Sequence, residues 1–172
     1  AAGAIAKKIL ERDGIRVKAH VNQIGDIEAP PVTFEEMLEH TENNEVRCAH
    51  PQTAEEMRDR IDEYQKAGDS IGGSIYFEAR GVPRGLGAPR FDSIPARLGQ
   101  AMMAIPATTG FEFGLGQDVR EWTGSNRNED WEFSDEGDPV PEGNTHGGLQ
   151  GGITTGQPIY GEATWHAPTS IP

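Results

Sequence analysis

The densest candidate for binding chemistry is residues 147–156, GGLQGGITTG. Paired glycines leave backbone amides uncovered, so a flat ring or a phosphate can lie against the chain. The stretch is not a G-x-G-x-x-G dinucleotide fingerprint, and no Lys-Ser/Thr follows it to make a P-loop. It reads either as a cofactor contact or as tight turns in a β-rich region. Five histidines, His20, His40, His50, His146 and His166, raise the question of metal binding or proton transfer. None has H-x-H or H-E-x-x-H spacing, so no metal set and no catalytic pair is expected from them. His166 precedes Ala167, Pro168, Thr169 and Ser170, where hydroxyls beside a rigid proline suit a phosphate, although a plain strand exit reads the same way. Residues 69–73, DSIGG, read as a structural turn, and no G-x-S-x-G nucleophile elbow is present. With 28 acidic residues almost any carboxylate spacing arises by chance, so none identifies a catalytic pair.

The elements that must position these residues are mixed. Residues 1–12 carry Ile5, Ile9 and Leu10 on one helical face, and Asp13-Gly14 supplies the stop. Residues 15–27 alternate as one half-buried strand. Thr33 and Glu36 have capping-box spacing, which starts a short helix at Phe34; the same device at Thr53 and Glu56 starts a second helix running to Ala67 and Gly68. A strand follows over 71–80, then a glycine-rich loop over 81–89. Pro95 is tolerated in the first turn of a helix over 93–104 that turns Ile94, Leu98, Ala101 and Met102 inward. Strands are expected over 111–115 and 159–165, with a polar excursion over 117–143 that contains Trp122 and Trp131. The fold class is α+β, and no linker divides residues 1–172 into separate domains.

Composition narrows the partners. Twenty-eight acidic residues against 15 basic give a net charge of −13, a field that repels nucleic acid. Lysine is scarce, being confined to Lys7, Lys8, Lys18 and Lys66. High acidity with little lysine suits a solvated surface in a salt-rich cytoplasm, where ions screen self-repulsion, and points to a halophilic source. No run of about 20 apolar residues offers a membrane span, and the first helix has charges inside its pattern, unlike a signal peptide. Cys48 stands alone, so no disulfide framework is expected and a reducing, cytoplasmic setting fits.

Five blocks in order resemble the chorismate synthase family: residues 2–8 (AGAIAKK), 68–73 (GDSIGG), 82–87 (VPRGLG), 93–107 with its MMAIPA ending, and 147–153 (GGLQGGI). The resemblance implies a phosphate-eliminating lyase of the shikimate pathway for aromatic amino acids. Its substrate would be 5-enolpyruvylshikimate 3-phosphate, its cofactor reduced FMN, its assembly a homotetramer, its fold a β-α-β sandwich, and NADPH is associated with it. It also implies that residues 1–172 form the central to C-terminal part of one incomplete domain. The family's two catalytic histidines would precede residue 1 and its catalytic aspartate would follow Pro172. No catalytic residue is therefore expected here, and the fragment alone is expected to be inactive or purely structural.

What carries over is part of a flavin site. The family's dipeptide after the Met-containing helix matches Pro106-Ala107, and the first glycine of its second Gly-Gly pair matches Gly151. Its Lys-Pro-Thr-Ser-Ser stretch aligns with His166, Ala167, Pro168, Thr169 and Ser170. Histidine thus stands where lysine is usual, with the proline displaced by one, and Pro106 replaces an asparagine and offers only its carbonyl. A reading from another class, an acidic domain using Trp122 and Trp131 to bind a sugar, leaves the five ordered blocks unexplained.

Overall fold

The structure, a computed structural model, describes residues 2–135 and 137–171. Helix α1 (Ala2–Arg12) leads into β1 (Arg16–Ile24) and β2 (Ile27–Glu28). Helices α2 (Phe34–His40) and α3 (Pro51–Lys66) follow, with a 3-10 turn (Thr41–Asn43) between them, then β3 (Gly73–Arg80), α4 (Ile94–Met103) and β4 (Thr108–Phe113). A second 3-10 turn (Gly116–Glu121) and the one-turn α5 (Gly124–Arg127) precede β5 (Trp131–Phe133) and β6 (Pro139–Pro141). Strands β7 (Leu149–Gln150), β8 (Ile153–Thr154) and β9 (Ile159–Trp165) complete the order. One five-stranded sheet runs β2-β1-β3-β9-β4, and β5-β6 and β7-β8 are separate hairpins, so the α+β class holds. Among the described residues no helix is long and apolar enough to cross a membrane.

The chain forms two compact units. The first comprises Ala1–Val17, Glu78–Ala101 and Glu112–Gly161; the second comprises Lys18–Phe77, Met102–Phe111 and Glu162–Pro172. The second unit holds the main apolar clusters. Phe34, Met37 and Ala49 are buried with Val32 and Tyr76 against them, while Ala29, Cys48, Ala54 and Met57 gather Val21, Ile24, Ile27 and Val46. Fully burying a Phe or Met side chain contributes about 1.5–3 kcal/mol, which makes α2 and α3 the anchors of this unit. Thr33 begins α2 with a complete capping box, its hydroxyl accepting from the Glu36 amide while the Glu36 carboxylate takes the Thr33 amide. That backbone bond holds the Glu36 carboxyl below the usual range.

Several expectations shift. Helix α3 starts at Pro51 and not after Thr53: the His50 side chain accepts from the Thr53 amide, so Thr53 lies inside the first turn. Proline at the first helical position removes an amide that would lack a partner, a signal that outweighed the Thr-x-x-Glu spacing. The strand expected over 15–27 is a hairpin. It bends at Gly25 (φ 58), with Gln23 opposite Glu28 and Ile24 opposite Ile27. On α1, Ile5 and Ile9 are exposed, and of the four α4 residues expected to face inward Ile94, Leu98 and Met102 are half-buried while Ala101 is exposed. The strand expected over 111–115 lies at Thr108–Phe113, because Gly114 takes a left-handed φ of 61 and ends it early. The polar excursion over 117–143 contains the 3-10 turn, α5 and the β5-β6 hairpin. It is tied back by Glu129, whose carboxylate accepts from the Thr145 amide and hydroxyl at 2.5 Å.

Candidate functional site

In the first unit, the two glycine-rich stretches interlock. Gly151 and Gly152 form the two-residue turn of the β7-β8 hairpin, with φ of 59 and 87, values that the Asn-Gly class of turns requires and that L side chains adopt only with strain. Thr154, 2% exposed, stitches the 81–89 loop onto this hairpin. Its hydroxyl donates to Pro83 O (2.6 Å) and accepts from the Leu86 amide (2.9 Å), while its backbone bonds Gly85 and Leu86 in both directions. The Ile94 amide donates to Gly152 O at 3.0 Å, so the start of α4 is held by the same turn. Asn144 organises the entry to the hairpin, its side chain donating to Pro158 O and accepting from the Gly148 amide at 2.6 Å. Sequence read the two loops separately; Thr154, their link, had no motif to reveal it.

Gly151 itself is left open. A Cβ built there would meet nothing within 4 Å, whereas one on Gly152 would stand 2.8 Å from Ser93 Cβ. Gly151 lines a concavity of about 410 Å³ that also involves Phe113, Arg127, Trp131 and His146. The turn therefore presents bare backbone on one side while its other side is packed.

In the second unit, two candidate segments far apart in sequence meet. The His166 amide donates to Ala107 O at 3.2 Å, where Ala107 is held at a left-handed φ of 67. Next to it, the Thr108 hydroxyl is buried without a partner. His166 is exposed, with its Nδ1 donating to Ala167 O at 2.6 Å, so Nε2 is the ring's remaining nitrogen. Pro106, Pro168, Thr169 and Ser170 are exposed and Ala167 is half-buried. The Ser70 hydroxyl donates to Pro168 O at 2.5 Å, and a Cβ on Gly72 would stand 2.7 Å from Trp165 O and 3.1 Å from Ala167 N. Residues 69–73 are thus more than a turn: they clamp the 166–168 segment by a hydroxyl and by a backbone approach only glycine permits. The block of small residues was the available signal, and its use as a clamp was not legible without the pairing partner.

The remaining histidines lie elsewhere. His20 is 3% exposed; its Nδ1 accepts from the Ala49 amide (3.4 Å), its ring lies 6.0 Å from Tyr76, and burial pushes its pKa down despite a backbone bond to Val21 and the nearby Glu162. His50 caps α3. His146 is bonded to Arg127. Among the described residues no three His, Cys, Asp or Glu side chains are grouped to hold a metal ion.

Comparison with known proteins gives one family. The family model described as chorismate synthase matches residues 1–172. A chorismate synthase of Haloquadratum walsbyi is 82% identical over 172 residues, covering all of this chain and 45% of the relative, and that of Halobacterium salinarum is 70% identical, covering all of this chain and 46% of the relative. The chain spans about half the length of the curated relatives it matches. A solved structure titled "Crystal Structure of Chorismate Synthase" superposes with a TM-score of 0.88 at 33% identity, covering 98% of this chain and 54% of that one.

Proposed function

The chain belongs to the chorismate synthase family, and from that premise we propose that the protein is a lyase that eliminates phosphate from 5-enolpyruvylshikimate 3-phosphate to give chorismate, with reduced FMN as cofactor. The reading assigns flavin contacts to Pro106, Ala107, Gly151 and the segment from His166 to Ser170. The observation that carries it is the 3.2 Å bond from the His166 amide to Ala107 O, which joins the two family flavin segments of the second unit into one surface. The residues present fit a phosphorylated flavin: Thr169 and Ser170 offer exposed hydroxyls, and Gly151 an open backbone face that a Cβ would fill. When bound, reduced FMN would lend electron density as the phosphate leaves and recover it as the ring proton is lost, so no net redox change results.

The task of these residues in that scheme is binding and exclusion of water. The hydroxyls of Thr169 and Ser170 donate to phosphate oxygens, the carbonyl of Pro106 and the backbone of Ala107 line the ring, and Gly151 lets the ring approach the chain. His166 stands where lysine is usual in the family, at the start of the segment that carries these hydroxyls. None of the five histidines serves as catalytic acid or base in this reading, and residues 1–172 supply walls of the flavin site within a homotetramer. The net charge of −13 and four lysines support a halophilic, cytoplasmic protein, for which NADPH would be a fitting source of reducing equivalents. The test is anaerobic release of phosphate from 5-enolpyruvylshikimate 3-phosphate by the intact protein with reduced FMN in molar KCl. Chorismate formed in step with phosphate supports the assignment, and absence of both refutes it.

A further inference from the structure

Arg127 ends α5, a single turn that Thr123 caps by accepting from the Asn126 amide at 3.3 Å. Its Nη2 lies 3.2 Å from His146 Nδ1, and its carbonyl lies 3.2 Å from His146 Nε2. A guanidinium only donates, so Nδ1 must accept and Nε2–H must donate to the Arg127 carbonyl. One imidazole thus fixes both the side chain and the main chain of this arginine. Arg47, Arg58, Arg60, Arg80 and Arg97 each pair with a carboxylate, whereas among the described residues no carboxylate lies within ion-pair distance of Arg127. In a chain of net charge −13, a half-buried guanidinium oriented by a neutral partner keeps its charge available.

That charge borders the concavity of about 410 Å³ walled by Trp131, Phe113, Gly151 and Gly152. An aromatic wall, side-chain-free backbone and one fixed cation are complementary to a planar ring that bears an oxyanion. We infer that Arg127, positioned by His146, binds the oxyanion of a flat ligand seated against Gly151 and Trp131. This rests on the reading that Gly151 contacts the flavin. The shared chemistry is an oxyanion on a ring-bearing ligand, which FMN carries as the phosphate ending its ribityl chain and 5-enolpyruvylshikimate 3-phosphate as its ring phosphate and carboxylate.

The test uses the intact protein in molar KCl. FMN and riboflavin, which lacks the phosphate, are titrated separately against wild type and Arg127→Gln, and the KM for 5-enolpyruvylshikimate 3-phosphate is measured anaerobically. A rise of about tenfold or more in the FMN Kd with riboflavin unchanged assigns the oxyanion to the flavin. A comparable rise in substrate KM at constant FMN affinity assigns it to the substrate and equally upholds the inference. Both constants within about twofold of wild type overturn it, as does an equal loss of FMN and riboflavin. Should Arg127→Gln fail to fold, Arg127→Lys retains the charge without the planar fork, and unchanged constants in that variant together with His146→Leu overturn the proposal. His146→Gln keeps one acceptor and one donor and is expected to preserve affinity that His146→Leu loses; equal loss in both removes the positioning role of His146. Wild-type protein that fails to bind FMN removes the flavin reading instead, and the substrate arm then decides the inference by itself.

Discussion

The turn at Gly151 and the segment over 166–170, both assigned to the flavin, are built in opposite ways. The turn belongs to a hairpin stitched by buried Thr154 to the 81–89 loop and by Gly152 to the start of α4. The 166–170 segment is largely exposed and is held by one bond to Ala107 and one from Ser70. Buried bonds that would be left unsatisfied are costly to break, while exposed ones exchange readily with water. A preformed backbone face fits a rigid ring, and an adaptable polar arm fits a phosphate.

If the turn is the rigid partner, the largest loss of stability comes from its packed glycine. Gly152→Ala places a Cβ 2.8 Å from Ser93 Cβ at a φ of 87, and strain with overpacking should cost about 2–4 kcal/mol in denaturant unfolding. Gly151→Ala, one residue away, costs only about 1 kcal/mol, because its Cβ enters open space. It should nevertheless weaken FMN binding, since the methyl occupies the face assigned to the ring. Equal destabilisation by the two variants would erase the distinction between packed and open sides of the turn.

Thr154→Val keeps the shape and removes the buried hydroxyl, leaving the Leu86 amide and Pro83 carbonyl without that partner. The expected cost is about 2 kcal/mol, with the 81–89 loop losing hydrogen-exchange protection. A loss of less than about 0.5 kcal/mol would mean that the loop is held by something other than this stitch.

These contrasts also separate what could be read from the chain from what could not. The ends of β9, the Thr33 capping box and the interruption at Gly68 were legible because each is signalled within a few residues. The start of α3 was misplaced because Pro51 and a histidine cap compete with a second Thr-x-x-Glu pattern. At the site, the bare backbone of 147–156 and the hydroxyls after His166 could be read from residue types, whereas assigning them to a flavin rests on resemblance alone, and Pro106-Ala107 had no physical signal at all. The clamp from Ser70 and Gly72, the Thr154 stitch and the Arg127–His146 pair depend on partners 19 to 98 residues away, and local periodicity holds no information on such pairings.

Acid should act on the second unit and spare the turn. His20 is buried, accepts from the Ala49 amide and has a pKa below the ordinary value of 6.5, with burial outweighing the Val21 bond and Glu162; Tyr76 and Glu28 also face it or line its cleft. The unfolded chain binds more protons than the folded one as pH falls through 6.5, so stability is full above that value and declines below it. Hydrogen exchange at pH 5 against pH 7.5, corrected for the intrinsic rate, should show lost protection over 44–50 and none over 149–154. His20→Gln should flatten that pH dependence, and an unchanged slope would acquit His20.

The smallest change in stability is expected from Ser70→Ala, and it is the most direct probe of the adaptable arm. The bond to Pro168 O is exposed, and water can replace the serine hydroxyl, so unfolding should shift by no more than about 1 kcal/mol. Binding has a different reference state. If the bond holds the segment carrying Thr169 and Ser170 in the orientation that meets a phosphate, its loss adds the entropy of reordering that segment to every binding event. FMN affinity should then fall severalfold while riboflavin affinity holds, because only the phosphate depends on this arm. A fall in both would place the 166–170 segment against the ring, and a fall in neither would leave Ser70 a structural pin with the phosphate held elsewhere.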